Sequence, residues 1–187
     1  INLPGNGGFD IKVTRSYNSA SVERFVPVYF DSMMGLGWTM HFGRVLRNSS
    51  NTCSNLQASS VIDNPVLELP DGSRQLLAFT GGTSPLLLST EFWRADCTPD
   101  KFGLIVYSPD GTRYDMTQRY NLGSTANPEY AIYATKITDP NGNYATISYA
   151  STYPAEITQV TTNDGRSINF FGPGGAWPKR SNQLPVS

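Results

Sequence analysis

The amino-acid sequence predicts an all-β protein, built as an antiparallel strip of successive β-hairpins with little helix. Three observations predict this class. The chain has 17 glycines and 13 prolines among 187 residues, which favours frequent turns over long helices. Aromatic residues reach 12%, whereas the helix formers Lys and Glu are scarce. Finally, four sequence segments have an Asp-Gly or Asn-Gly pair between two runs of apolar residues.

These four segments are predicted to be hairpins, and their sequences are LELPDGSRQLLAF, IVYSPDGTRYDM, KITDPNGNYATISY and QVTTNDGRSINFF. Their turn glycines, separated by 39, 31 and 23 residues, are Gly72, Gly111, Gly142 and Gly165. The residue before the turn pair is Pro70, Pro109, Pro140 or Asn163. Glycine accepts a positive φ, and Asp or Asn tolerates the left-handed region, so the chain can reverse tightly at each pair. The repeat unit is therefore a β-hairpin.

The chain is divided into three predicted regions. Residues 1–60 form an N-terminal β segment, with one strand expected between residues 9 and 13 from their two-residue apolar period, and a second between residues 40 and 45. The segment ends in a polar loop, 48–60, rich in Ser and Asn. Residues 61–171 form the hairpin array, with a long connection at 120–129. Residues 172–187 are rich in Gly and Pro and are predicted to be a tail or linker.

Cys53 and Cys97 are the only cysteines, and their separation matches no zinc-binding motif. They can form a disulfide, or they can be two separate thiols with one or both in the core. A disulfide would close a loop for which the chain-entropy estimate is about 4 kcal/mol of stabilisation. The composition, which has the character of a secreted protein, favours the bridge.

The charge distribution argues against nucleic acid as a partner. The net charge is −1 and the pI is about 5.8, and no stripe of Lys or Arg could neutralise a phosphate backbone. The apolar stretches, such as residues 84–89, are much shorter than the roughly 20 residues of a membrane-spanning helix. The chain begins at Ile1 without an initiator Met, so we expect a mature product or an excised piece.

Two consecutive segments, ITDPNGNYATISYAS and ITQVTTNDGRSINFFG, carry a family resemblance. Each has a strand, a turn ending in Gly and a second strand ending in an aromatic residue, and the turn of the first reads Asp-x-x-Gly; the matching positions are Asp139, Gly142, Tyr149, Ile157, Gly165 and Phe170. In this the chain resembles the YD or Rhs (rearrangement hotspot) repeats of bacterial secreted and cell-surface proteins. LPGNGGFDIKVTRSYNS and GLGWTMHFGRVL resemble the segment that precedes such repeats.

The resemblance implies a long β-sheet strip, which in full-length members spirals into a hollow shell around a toxic C-terminal domain. It also implies that the protein is secreted or lies at the bacterial cell surface. Its partners would be further YD-type repeats, from the same chain or from another.

The sequence predicts no catalytic residues, no cofactor and no metal site. His41 is the only histidine, and no Gly-x-Ser-x-Gly motif is present. For His41, one alternative is a catalytic Cys–His pair with Cys53 or Cys97. The other is a histidine that is solvated or lies at the rim of the core. Glycoside hydrolysis by paired carboxylates stays open, because sequence does not fix their separation. Residues 139–143 are similar to the start of a calcium loop, but the glycine comes two positions early, which favours a turn.

The arginines and tryptophans near the predicted strands have mainly structural interpretations. Arg74, Arg113 and Arg166 follow turn glycines and are expected to pair with turn acids at the surface, where such pairs contribute under ~1 kcal/mol. Trp38 and Trp93 lie among apolar strand residues and are predicted to pack in the core. Trp177, in the Gly/Pro-rich region, could instead contact a glycan.

The leading functional hypothesis is a non-catalytic structural or assembly role. A strip of hairpins leaves unpaired N–H and C=O groups on its terminal strands, and these groups are templates for further pairing. Such pairing would give a homo-oligomer or, if it does not close, a filament. The alternative hypothesis is a module that binds carbohydrate or a cell surface through exposed aromatic residues. An enzyme is the third possibility and has no motif to support it.

Overall fold

A computed structural model describes residues 1–5, 8–19, 34, 37–47, 53, 64–122, 129–151 and 156–171. These residues form sixteen β-strands and almost no helix, which confirms the predicted all-β hairpin class. The strands are β1 (Asn2–Leu3), β2 (Ile11–Lys12), β3 (Ser16–Tyr17), β4 (Trp38–Thr39), β5 (Arg44–Arg47), β6 (Val66–Glu68), β7 (Arg74–Leu76), β8 (Ala78–Phe79), β9 (Leu87–Leu88), β10 (Arg94–Cys97), β11 (Leu104–Tyr107), β12 (Arg113–Asn121), β13 (Tyr130–Thr138), β14 (Tyr144–Tyr149), β15 (Ile157–Thr162) and β16 (Ser167–Asn169). Among these residues, no helix is long and apolar enough to cross a membrane.

Twelve of the strands form one antiparallel sheet. Strands β8 to β16 lie side by side in chain order, each joined to the next as a hairpin or meander. Strands β5, β6 and β7 form a branch, in which β5 pairs with β13 and β6 lies between β5 and β7. The remaining strands make two small sheets, β1–β2 and β3–β4.

The sheet closes on itself because β7 continues into β8 through Leu77. The Leu77 N–H donates to Pro65 O on the β6 side at 2.9 Å, whereas the Thr80 N–H donates to Leu86 O on the β9 side at 3.0 Å. The segment therefore joins the β5–β7 branch to the first strand of the array. Counting β7 and β8 as one, eight strands form a barrel-like ring, from β5 and β6 through β8 to β13 and back to β5. This differs from the expected open strip with two unpaired terminal strands.

Strand β13 is the point where the sheet forks. Its first half, Tyr130 to Tyr133, pairs with β5, and Lys136 to Thr138 pair with β14 on the same side. On the other side it pairs with β12, with register shifts around Met116. The hairpins β14–β15–β16 thus leave the ring as a wing. The predicted connection at 120–129 begins later than expected, because β12 extends to Asn121.

The ring and the wing each have their own apolar core. Every ring strand contributes buried residues to the largest cluster, which fills the ring: Val45, Leu67, Leu77, Leu87, Ala95, Leu104, Val106, Met116, Ile132 and Ala134, together with Cys53 and Trp93. Eight strands enclose an interior that side chains can fill. The wing packs Ala145, Ile147, Ile157 and Val160 against Ile11, Met40 and Phe42 of the N-terminal segment. The N-terminal segment therefore covers the inner face of the wing.

The four predicted turns share one geometry. In each, the glycine N–H donates to the carbonyl three residues earlier, as from Gly111 to Ser108 O at 3.0 Å. The glycines have φ between 86° and 88°. This pattern is a type I turn followed by a left-handed residue in a bulge, with proline at its favoured second position in three cases. Only the glycine is left-handed at these turns, so the adjacent Asp or Asn does not use its tolerance of that conformation.

Two further hairpins place a residue other than glycine in the left-handed position. Phe92, with φ 63°, donates its N–H to Ser89 O, and Lys101, with φ 66°, donates to Thr98 O. These two hairpins were not predicted from the sequence, because the turn pattern used there requires a glycine. The triplet Thr98-Pro99-Asp100 repeats the chemistry of Ser108-Pro109-Asp110 and could have identified one of them.

Cys53 and Cys97 form a disulfide, with an S–S distance of 2.10 Å and a Cα–Cα distance of 5.6 Å. Cys53 is 1% exposed, and its N–H donates to Lys101 O at 2.7 Å. The bridge therefore fixes residue 53 against the end of β10 within the core of the ring.

The double substitution Cys53→Ala and Cys97→Ala should lower the free energy of unfolding by about 4 kcal/mol, because the 44-residue loop is no longer closed in the unfolded chain. Urea denaturation of the oxidised protein and the variant measures the difference. Adding reductant to the natural protein should reproduce it, and a reductant-insensitive midpoint would contradict the assignment.

Gly142→Ala should lower the free energy of unfolding by about 1–2 kcal/mol, the cost of a left-handed alanine. A Cβ at this position would meet no atom within 4 Å, so the effect is one of backbone conformation alone. Phe92→Gly is the reciprocal test. Because Phe92 is 73% exposed and left-handed, its replacement should leave stability unchanged or raise it by under ~1 kcal/mol. Equal losses from both variants would exclude the turn geometry.

Candidate functional site

The most unusual feature of the interior is a set of buried polar side chains at the fork. Arg44 is 1% exposed, Tyr133 is 2% exposed, and His41 and Glu68 are each 3% exposed. Burying a charge costs several kcal/mol unless it is paired and hydrogen-bonded. We call His41, Arg44, Glu68, Arg74 and Tyr133 the fork cluster.

Four members of the fork cluster share one rung of the sheet. Tyr133 of β13 is opposite Arg44 of β5, Arg44 is opposite Glu68 of β6, and Glu68 is opposite Arg74 of β7. Residues directly opposite one another in antiparallel strands project to the same face. The register of four strands therefore brings these side chains into contact.

Glu68 is the centre of the cluster. Its Oε1 accepts from Arg44 Nε at 3.1 Å and Arg44 Nη2 at 2.8 Å. Its Oε2 accepts from Arg74 Nε at 2.7 Å, and Arg74 Nη2 lies 2.6 Å from the same oxygen. Arg44 Nη1 also donates to Tyr133 Oη at 3.3 Å. One carboxylate thus holds two arginines, one fully buried and one with a side chain 49% exposed.

The hydrogen bonds of His41 fix its tautomer. The Gly43 N–H donates to Nδ1 at 3.1 Å, so Nδ1 is the acceptor nitrogen. The proton is then on Nε2, which donates to Glu68 Oε1 at 3.2 Å. In this tautomer the imidazole accepts through one nitrogen and donates through the other.

The environment determines the protonation of Glu68. Burial alone would raise its pKa, but the hydrogen bond from His41 and the charges of Arg44 and Arg74 outweigh burial and lower the pKa to about 2. A general acid must hold its proton near neutral pH, which requires a raised pKa. Glu68 is therefore an ionised structural group at neutral pH and is unsuited to that role.

A cleft of about 150 Å³ opens beside the fork cluster. It is lined by Ser16, Tyr17, Asn18, Thr39, Arg44, Glu68, Asp71, Gly72 and Arg74. Hydrogen bonds from the Ser73 hydroxyl and N–H lower the pKa of Asp71. The two carboxylates of the cleft therefore both favour the charged form, whereas a glycosidase needs one carboxyl group that stays protonated.

The residues singled out from the sequence are not brought together as a reactive site. His41 contacts Glu68, and the sulfurs of Cys53 and Cys97 are bonded to each other, so neither is available as a thiol partner. Trp93 packs in the ring core. Trp38 is half-buried beneath Arg15 and Tyr17, and Trp177 lies outside the described residues.

Two of the three turn arginines have partners other than those expected. Arg74 pairs with Glu68 in the fork cluster, and Arg113 pairs with Asp115 at 2.6 Å. Arg74 is opposite Glu68 in the β6–β7 register, and Arg113 lies two residues from Asp115 on β12, so both side chains of each pair are on one face of the sheet. Arg166 does contact its turn acid, Asp164, at 2.8 Å. Its Nη1 also donates to Pro4 O at 2.6 Å, which links the wing to the N-terminal segment.

The segment similar to a calcium loop forms a turn. Asp139 accepts from the N–H and the side-chain amide of Asn143, each at 2.8 Å, and these bonds close the turn. Across the described part of the chain, no group of three or more His, Cys, Asp or Glu side chains is arranged to hold a metal ion.

Comparison with known proteins gives a structural likeness at low sequence identity. No protein-family model and no curated protein sequence matches the chain. Among solved structures, the chain is similar to the N-terminal domain of the effector protein SpvB from Salmonella typhimurium strain LT2, with 13% identity and a TM-score of 0.47. The match covers 87% of this chain but 63% of that domain, so the chain spans less than two thirds of its length.

Replacing Glu68 should change how stability depends on pH. A carboxyl group with a lowered pKa in the folded state contributes stability above its unfolded pKa, near 4.5, and loses it as the pH falls toward 2. The natural protein should lose about 3 kcal/mol through this group over that interval, and Glu68→Gln should lose correspondingly less. At pH 7 the variant should be about 3–5 kcal/mol less stable, because Arg44 keeps its buried charge. Urea titrations at a series of pH values measure both effects.

Asp164→Asn is the matched control for this titration. Asp164 also has a pKa of about 2, held low by hydrogen bonds from Arg166 and Thr162, but it lies at an accessible turn. Its substitution should leave the stability at pH 7 nearly unchanged. Parallel acid profiles for Glu68→Gln and the natural protein would show that Glu68 does not control the acid response.

Proposed function

We propose that this chain is a non-catalytic structural segment of an extracellular Rhs/YD-repeat-like protein, and that it extends a β-sheet through its terminal strand. The observation that carries the proposal is the order of β8 to β16, because these nine strands lie side by side in the sheet in chain order. Such an array grows by adding hairpins at its end. In the described residues, β16 pairs with β15 alone.

The outer side of β16 presents backbone groups for pairing. The Phe170 N–H donates to Thr158 O at 2.9 Å, and Ile168 is opposite Val160 in the same register. Because inward and outward N–H groups alternate along a strand, those of Ser167 and Asn169 point away from β15. A row of outward backbone groups of this kind is a template for another strand.

The ring limits the form that assembly can take. A filament needs two open ends of the sheet, and β8, the other end of the array, continues into the β5–β7 branch through Leu77. Within the described part of the twelve-stranded sheet, β16 is the terminal strand that has a partner on one side, and this favours a two-fold pair in which β16 of one copy meets β16 of another. In a longer parent protein, the first strand of the next repeat would occupy the same edge.

Two observations support an extracellular setting and a structural role. The Cys53–Cys97 disulfide is characteristic of oxidising compartments, and it stabilises a ring of short strands. The charged groups of the fork cluster pair with one another, which suits a rigid scaffold. Glycan contact by Trp177 stays a prediction, because Trp177 is outside the described residues.

Asn169→Pro should weaken self-association at least tenfold while leaving the fold intact. Proline removes the outward N–H of Asn169 and tolerates the φ of an edge strand. Sedimentation velocity over a concentration series compares the monomer–dimer equilibrium of the natural protein and the variant. A natural protein that remains monomeric at every concentration would exclude assembly through this edge.

Two further substitutions separate the backbone effect from other causes. Asn169→Ala loses the side-chain hydrogen bond from Gln159 but keeps the N–H, so it should associate like the natural protein. Ile168→Pro removes an inward donor and should lower stability by disrupting the β15–β16 ladder. If Asn169→Ala reduced association as much as Asn169→Pro, side-chain contacts rather than strand pairing would be responsible.

A further inference from the structure

The cleft beside the fork cluster has walls from two distant parts of the chain. One wall is the β3–β4 pair, in which the Ser16 and Thr39 hydroxyls are 2.8 Å apart. The other is the β6–β7 turn, where a Cβ on Gly72 would lie 3.3 Å from Ser16 Oγ. The buried Arg44 and Glu68 line the cleft between these walls, and Arg74 is paired with Glu68. The cleft is thus bounded by paired strands and by a buried ion pair.

An aromatic surface forms part of the first wall. Tyr17 lines the cleft and is 55% exposed. Its ring packs on Trp38 with centroids 5.1 Å apart, and the Arg15 guanidinium lies 4.8 Å from the Trp38 ring. These contacts hold the tyrosine ring in place, while much of its surface stays accessible. A large, accessible aromatic ring with a polar tip is suited to contacting an amphipathic ligand.

Polar groups of both kinds lie opposite this ring. The Arg74 contacts with Glu68 use Nε and Nη2, which orients the guanidinium at the mouth of the cleft. Ser73 donates twice to Asp71 Oδ1, which orients that carboxylate. Hydroxyl groups from Ser16 and Thr39 add further donors and acceptors. The cleft therefore combines oriented donors and oriented acceptors within a small volume.

The charges of the lining groups cancel. Arg44 and Arg74 are positive, and Glu68 and Asp71 are negative. An anion would approach two carboxylates, and a cation would approach two guanidinium groups. A neutral ligand with several hydroxyl groups satisfies donors and acceptors without either repulsion.

We infer that this cleft is a binding site for a single neutral hexopyranose ring. The C–H face of the sugar would lie against Tyr17, and its hydroxyl groups would bond to Asp71 and Arg74. The cleft volume of about 150 Å³ is small, which favours a compact ligand of one ring. The site is independent of β16, so it does not depend on the proposed assembly function.

The test uses methyl glycosides of glucose, galactose and mannose, titrated into isotopically labelled protein and followed by NMR. At least one of the three should shift the resonances of Gly72 and the Arg74 side chain in a saturable manner. Tyr17→Ala and Asp71→Asn should each weaken that affinity at least tenfold. Sodium sulfate and sodium acetate at equal concentration should leave the same resonances unchanged.

Matched substitutions elsewhere in the chain provide the controls. Tyr144→Ala removes another accessible tyrosine with a cation neighbour, Lys136, and Asp110→Asn removes another turn carboxylate with a lowered pKa. Both variants should bind the glycoside normally. The inference is overturned if no glycoside shifts the cleft resonances, if sulfate or acetate shifts them equally, or if Tyr17→Ala retains full affinity. Sedimentation results for β16 variants bear on none of these outcomes.

Discussion

The contact between Arg44 and Glu68 is the constraint on which the arrangement of the sheet depends. It lies where the ring and the wing separate, between strands that belong to different parts of the chain. Desolvating either ion alone would cost several kcal/mol, so each is tolerable only while the other is in place. Tyr133 and Arg74 extend the contact across four strands. A shift of one residue in any of these strands would turn its polar side chain to the opposite face, and the pairing would be lost.

Apolar packing alone would not define this register so strictly. Apart from Trp93, Met116 and the disulfide-bonded Cys53, the ring core consists of small and medium aliphatic side chains, and many combinations of these can fill a similar volume. The fork is different because it has one arrangement that satisfies every charge. The alternating apolar pattern gives each strand its inner face, and the fork cluster selects the partner and the alignment. The Arg166 contact with Pro4 O has a comparable role at lower energy, since it positions the N-terminal segment over the wing.

The features that could be predicted from sequence are those with local causes. Turns at Gly72, Gly111, Gly142 and Gly165 follow from neighbouring residues, and the all-β class follows from composition. Ring closure could not be predicted, because it depends on pairing between segments distant in sequence. The same holds for the fork cluster, in which Arg44 and Tyr133 are separated by 89 residues. Glu68, a lone acid among apolar residues in LELP, was the one local signal of a buried ion. Phe92 and Lys101 show the remaining limit, since the surrounding hairpin imposed a backbone conformation that their side chains do not favour.

The fork at β13 also gives the molecule two mechanical regimes. A pulling force applied beyond Phe171 would act first on β16 and would open its ladder one hydrogen bond at a time, as in unzipping. β15 and β14 would follow in order. The ring would resist differently, because a load between β5 and β12 crosses both sides of β13 and must shear whole ladders at once. The wing would thus yield at low force and lengthen, while the disulfide-linked ring held its shape.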